Sequence, residues 1–187
     1  MTASLTGVFL AMAHNNAWAN HRLLSACAEL DKAAFHAQRT GFFPSLAGTL
    51  NHILVVDLFY VDALEGGWLG YAAFEDETPC GTVAELHAAQ RAVDDRLIAV
   101  CDALTPESLN GEARVNRGES VQVERRDRLL LHLFEHQIHH RGQAHAMLSG
   151  TSVKPPQLDE FFSAGEAPLR AAEFAELGWT EERIWGA

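Results

Sequence analysis

The chain has 187 residues, 48% of them apolar and 21% charged, with a formal net charge of −11. This is the length of one domain able to bury a core, and the composition excludes disorder, collagen and coiled coil. Lys and Arg are scattered, and where they cluster, at Glu124-Arg125-Arg126-Asp127-Arg128, acids neutralise them; such a surface repels phosphate and argues against DNA or RNA as a ligand.

In chain order, four long helices are expected at roughly Leu5–Leu30, Ser45–Leu64, Thr82–Leu104 and Arg125–Leu148. Gly41 and Pro44 break the first gap, Gly66-Gly67, Pro79 and Gly81 the second, and Pro106, Asn110-Gly111 and Gly118 the third. Thr82-Val-Ala-Glu85 reads as a capping box that opens the third helix. Between helices three and four, Glu112–Val115 and Ser120–Val123 flank Asn116-Arg117-Gly118, the pattern of a small β-hairpin. Beyond Gly150, two short helical pieces are expected near Leu158–Phe162 and Pro168–Leu177, and a capping box at Thr180 opens the last turn. The expected fold is all-α: a four-helix bundle over about 5–150 with an extension, 151–187, that packs against it as part of one domain.

Cysteines 27, 80 and 101 are odd in number, far apart and without a CxxC, which argues against a disulfide framework and for a reducing cytoplasm. The first 20 residues lack the basic n-region of a signal peptide, and no stretch reads as long and apolar enough to span a bilayer.

The chemistry concentrates in the fourth helix. On a wheel of about 100° per residue with His136 at zero, His140 falls near +40°, inside an apolar stripe that includes Leu129, Leu133, Ala144 and Met147. Residues four apart are neighbours on one face, so two imidazoles there can converge on one ion. His52 likewise points with Val56, Phe59 and Ala63 on the second helix, and a third imidazole from a facing helix would complete an N₃ set. Any of these histidines could equally be a core residue bonded to a carbonyl, and HxxxH occurs twice, His132 with His136 being the second pair. His132 and His139 fall on the fringe of the stripe, and His145 falls on the opposite side, toward solvent. Gln143 can face the site and bond a ligand imidazole or a water. Arg141 points elsewhere, toward an acid at an interface. Asp57 is a candidate acceptor behind His52. Gly142 inside a helix costs up to about 1 kcal/mol relative to Ala, which close helix packing would explain. Core packing is the expected role for most of Trp18, Trp68, Trp179 and Trp185.

His136-Gln-Ile-His-His140-Arg-Gly-Gln143 is a family signature. With Asn16-Ala-Trp-Ala-Asn20 in the first helix and Thr49-Leu-Asn-His52-Ile-Leu54 in the second, the chain resembles the DinB-like (DinB/YfiT) family of bacterial metal-dependent proteins over about Leu5 to Gly150. Many members carry Trp a little after the second-helix histidine, where this chain has Phe59 and Tyr60. The resemblance implies a four-helix bundle, usually a homodimer, with metal ligands at His52, His136 and His140. It also implies that such a site can activate a low-molecular-weight thiol.

Three imidazoles leave a divalent ion an open position, as in catalytic zinc sites, and imidazole suits zinc or nickel best. The expected activity is that of a metal-dependent transferase acting with a low-molecular-weight thiol, and the expected partners are a small-molecule thiol or an anionic substrate. A metal-dependent hydrolase, or a non-catalytic metal-binding protein that reports stress, are the alternatives; Gln137 stands where HExxH enzymes carry the general base. The spare face of the second helix, apolar nearly all round at Leu50, Ile53, Leu54, Leu58, Val61 and Leu64, is the expected dimer interface.

Overall fold

The computed structural model describes residues 4–185. Four long helices form the bundle: α1 (Leu5–Cys27), α3 (Leu46–Glu65), α4 (Val83–Asp102) and α6 (Arg126–Ser149). Short helices α2 (Lys32–His36) and α5 (Pro106–Asn110) and a 3₁₀ turn (Gly70–Phe74) lie in the connections. The sequence pattern did not announce them, because pieces of five residues carry too little periodicity to register.

The helix ends follow local chemistry. Ser45 accepts from Gly48 N to start α3, and Gly66, at φ 88°, ends it in the left-handed conformation that spares glycine a Cβ clash. The expected capping box of Thr82 and Glu85 starts α4. α1 stops at Cys27, a turn short of the expected Leu30.

α3 is the central element. It packs on α4 and α6, while α2, the 3₁₀ turn and β1 cover its remaining sides. Leu50, Ile53, Leu54, Val61 and Leu64 are buried and Leu58 is half-buried. The face reserved above for a dimer is thus occupied within the chain. Leu46–Glu65 is also long and apolar enough by composition to cross a membrane, contrary to the expectation, but 78% of its most apolar window is buried inside the bundle. An all-round apolar helix is what the centre of a bundle requires.

The hairpin forms as expected, β1 (Glu112–Asn116) pairing antiparallel with β2 (Val121–Arg125), Glu112 opposite Arg125 and Asn116 opposite Val121. Gly118 takes φ 73° at its turn. Ala113 and Val115 are its inward-facing, buried residues.

The extension packs on α1. α7 (Ala167–Leu177) and α8 (Glu181–Trp185) close a second core of Trp18, Phe161, Phe174 and Ile184. The helix expected near Leu158–Phe162 is absent: the segment runs irregularly, and Phe161 inserts against Trp18, with ring centroids 5.6 Å apart. Burying one aromatic anchor overrides weak local helix propensity there. Arg170, only 1% exposed, binds Glu181 and the carbonyls of Glu160 and Ser163. Glu181 therefore serves the tertiary fold. Thr180 does cap α8, accepting from Arg183 N, but Arg at the third helical position leaves the box without its reciprocal half. Of the four tryptophans Trp18 is fully buried and Trp179 half-buried, while Trp68 and Trp185 are 58% and 40% exposed.

Candidate metal centre

His52 on α3 and His136 and His140 on α6 converge, one nitrogen from each lying within 4.8 Å of the others. His52 Nε2 and His136 Nε2 are 3.0 Å apart, and the His136 and His140 rings are 4.4 Å apart by centroid. Donors about 2.0–2.1 Å from a tetrahedral zinc are roughly 3.3–3.4 Å from one another. The set is therefore already close to ligand spacing. Its scaffold is simple: the i, i+4 step fixes two imidazoles on α6, and α3–α6 packing brings the third across. Phe43, in the segment before α3, lies over His52 with ring centroids 4.2 Å apart.

Burial keeps these rings neutral. It lowers His52 to about 4 and His136 to about 3, with the neighbouring imidazoles contributing in the same direction. His140 is lowered too, chiefly by burial, with Gln143 opposing. At neutral pH all three carry lone pairs available to an ion. His136 makes the fit test direct. Its Nδ1 is buried without a hydrogen-bond partner, and its Nε2 faces another imidazole nitrogen. The donor set fits a cation at Nε2, where two neutral imidazole nitrogens face one another and an ion could take both lone pairs.

The surrounding residues divide clearly. Gln143 behaves as expected: its Oε1 lies 2.9 Å from His140 Nδ1, and its Nε2 lies 3.0 Å from His139 Nε2. His139 and His132 are exposed, His132 lying edge-on to Tyr60. His145 is half-buried rather than solvent-facing, because Nε2 reaches the Pro156 carbonyl at 2.9 Å and ties the extension to α6. Gly142 is exposed, and a Cβ there would meet nothing within 4 Å, so close packing does not account for it. Nothing else in the structure explains this glycine.

Behind the histidines lies a polar network that sequence reasoning missed. Arg141, instead of meeting an acid at an interface, is buried and donates to Asn16, Asn20 and Gln137. Asn16 and Asn20 donate in turn to Asp94, and Gln90 bridges Asp94 and Asp57. Gln137 closes the ring by donating to Asp57 at 2.6 Å. Asp57 thus faces the interior and not the imidazoles. Burial raises the Asp94 carboxyl to about 7 and Asp57 well above the usual range, with Arg141 opposing both shifts. Burial also lowers the Arg141 guanidinium to about 10. A signal was available: Asn16/Asn20, Gln90/Asp94 and Gln137/Arg141 are each polar pairs four apart. The repetition on three helices marks one shared polar layer, since each pair lies on one face of its helix.

A family model described as the DinB family matches residues 1–172. The chain belongs to the DinB family. Protein DinB of Bacillus subtilis is 26% identical over 139 residues, which span 71% of this chain and 80% of that protein. The crystal structure of a DinB-like protein from Bacillus cereus matches with a TM-score of 0.65 at 16% identity, covering 84% of this chain and 99% of that one. At that identity the likeness is one of fold. The DinB match runs past the bundle into α7, further than the Gly150 limit suggested by the motifs.

Proposed function

We propose that this DinB-family chain is a metal-dependent enzyme in which His52, His136 and His140 hold one divalent ion, zinc or nickel, and that it acts as a transferase with a low-molecular-weight thiol. The carrying observation is the set itself: three neutral imidazoles gathered from two helices, which no carboxylate or thiolate joins among the described residues. Structural zinc sites are usually closed by four protein ligands, whereas three leave a position for an incoming group. Bound there, the ion would supply Lewis acidity that lowers the pKa of a coordinated thiol or water.

The protein's own groups favour the thiol over water. Gln137, at the place of the HExxH base, is turned inward to Asp57 and Arg141, so that position supplies no carboxylate to deprotonate water in a hydrolase. A thiol needs less help, since its own pKa lies far closer to neutrality. Gln143 orients His140, and Phe43 shields His52 from solvent. A non-catalytic, stress-related metal protein is the competing reading, and an open coordination position argues against it.

Cobalt substitution tests the proposal. Metal-loaded protein should bind close to one ion per chain by elemental analysis, and Ala at His52, His136 or His140 should each remove it. A low-molecular-weight thiol added to the Co²⁺ form should produce a sulfur-to-metal charge-transfer band that fades at low pH. Full metal retention by two of the three variants would overturn the ligand set. No spectral response to any thiol or anion would mean a closed site and would leave the non-catalytic reading.

A further inference from the structure

The hairpin and the two ligand-bearing helices enclose a second feature. A cavity of about 240 Å³ is lined by Tyr60 of α3, Arg117, Gln122 and Glu124 of the hairpin, and Arg128 and His132 of α6. It lies one to two helical turns from the metal centre along the same two helices: His132 precedes His136 by one turn, and Tyr60 lies two turns beyond His52, about 12 Å along the axis.

Arg117 is the distinctive group. Its Nε and Nη2 donate to Gln122 Oε1 at 2.9 and 2.7 Å, and Nη2 also donates to the Tyr60 hydroxyl at 3.1 Å. Its guanidinium carbon lies 4.9 Å from the centre of the Phe59 ring. The turn that carries it is fixed by Arg117 N to Ser120 O and by Asn116 Oδ1 accepting from Gly118 N. Every partner of this guanidinium among the described residues is neutral. Arg22, Arg96, Arg125, Arg128, Arg170 and Arg183, by contrast, each meet a carboxylate. Glu124, the cavity's one acid, is 3.5 Å from Arg128. The cavity therefore holds two guanidinium charges against one carboxylate, in a molecule whose net charge is −11. Nη1 of Arg117 makes no hydrogen bond to another described residue. A guanidinium held flat by stacking and by neutral acceptors, with donors left over, is preorganised for a planar anion.

We propose that this cavity is an anion subsite in which Arg117 receives the carboxylate of an elongated small-molecule substrate whose reacting end lies at the metal centre. The subsite deepens the thiol-transferase reading and rests on it for the role of the reacting end. The carboxylate could belong to the thiol or to its electrophilic partner. Span sets the class: Tyr60, to which Arg117 donates, lies two helical turns from His52, about 12 Å along the axis, so a molecule of di- or tripeptide length would reach both ends.

The test uses two probes on metal-loaded wild type, Arg117→Gln and Arg117→Lys. S-Methylglutathione carries carboxylates and no free thiol; calorimetry should show it binding wild type, at least tenfold more weakly to Arg117→Gln, and at an intermediate level to Arg117→Lys. Thermal melting confirms that the variants are folded. In the Co²⁺ form, glutathione and 2-mercaptoethanol then separate the two sources. If the thiol bears the carboxylate, half-saturation of the glutathione band should rise at least tenfold in Arg117→Gln while that of 2-mercaptoethanol stays in place. If the partner bears it, S-methylglutathione should bind without displacing the thiol band. Failure of S-methylglutathione to bind wild type, or equal binding to Arg117→Gln, overturns the subsite. Loss of every thiol band with Arg117-dependent binding intact would overturn the metal reading and leave the anion subsite standing.

Discussion

Gln137 donates through Nε2 to Asp57 Oδ1 across 2.6 Å, between two side chains that are 0% and 1% exposed. The bond ties α3 to α6 on the side facing away from the imidazoles. Gln137 adjoins His136 in the chain, so holding it inward sets the rotation of α6 that turns His136 toward His52. Gln137→Leu removes the donor to Asp57 and the acceptor for Arg141 together, and leaves both buried groups short of a partner. The expected loss is about 1–3 kcal/mol of unfolding free energy, measured by urea denaturation. A change within 0.5 kcal/mol would mean that the network does not set the helix packing.

Gln143 acts further along the same helix, through His140 Nδ1. Partners that fix the ring of a metal-binding histidine typically contribute a factor of about 10–100 in metal affinity. Gln143→Ala should weaken metal binding by that order in a chelator competition. The melting temperature of the metal-free protein should stay nearly unchanged, because this residue is only half-buried. Unaltered metal affinity would make the contact incidental.

His14 gives the pH dependence a defined source. Its ring is buried, neither nitrogen has a partner, and burial lowers its pKa to about 4, with Arg183 adding to the shift and Asp102 opposing it. Between the unfolded value of about 6.5 and the folded value the unfolded chain binds the extra proton, so stability falls as pH drops through that window. His14→Phe keeps the aromatic contact with Trp179 and removes the titration. The melting temperature of wild type should decline from pH 6.5 to 4, and the decline should be shallower in His14→Phe. Identical slopes would exclude His14 as a contributor.

The homodimer implied by the family resemblance needs a surface other than α3. α6 exposes Leu131 and Ile138, seven residues apart on one face, and α1 beside it exposes Leu5 and Val8. We propose that this α1–α6 face forms the dimer contact, since an apolar helix stripe facing water calls for a partner. Light scattering should give twice the chain mass for wild type and monomer mass for Ile138→Asp. A wild-type monomer at high concentration would refute the assembly, and a dimeric Ile138→Asp would place the contact elsewhere.

The amino-acid sequence by itself determined the four long helices, the hairpin and the His136–His140 pair on one face of α6, while His52 joined that pair only through the family resemblance until the packing of α3 on α6 brought the three together. Helices, hairpin and pair each rest on a local rule: a cap such as Thr82, a breaker such as Gly66, or an i, i+4 step such as His136 to His140. That Gln143 can face the site was legible for the same reason, because its angle on the helix is set by its place in the chain, but its choice of His140 over a water was not. Only the tertiary structure decided which partner a polar group found on a neighbouring element. Arg141, Asp57 and the asparagines of α1 belong to one interior network because α1, α3, α4 and α6 pack around a common axis, and no periodicity within one helix carries that information. The same is true of Phe161, which gives up a helical conformation to fill the space beside Trp18. It is true also of Arg117, whose lack of an acidic partner follows from where the hairpin folds against α3. Spacing along a helix is a property of the backbone, whereas pairing between helices is a property of the packed whole.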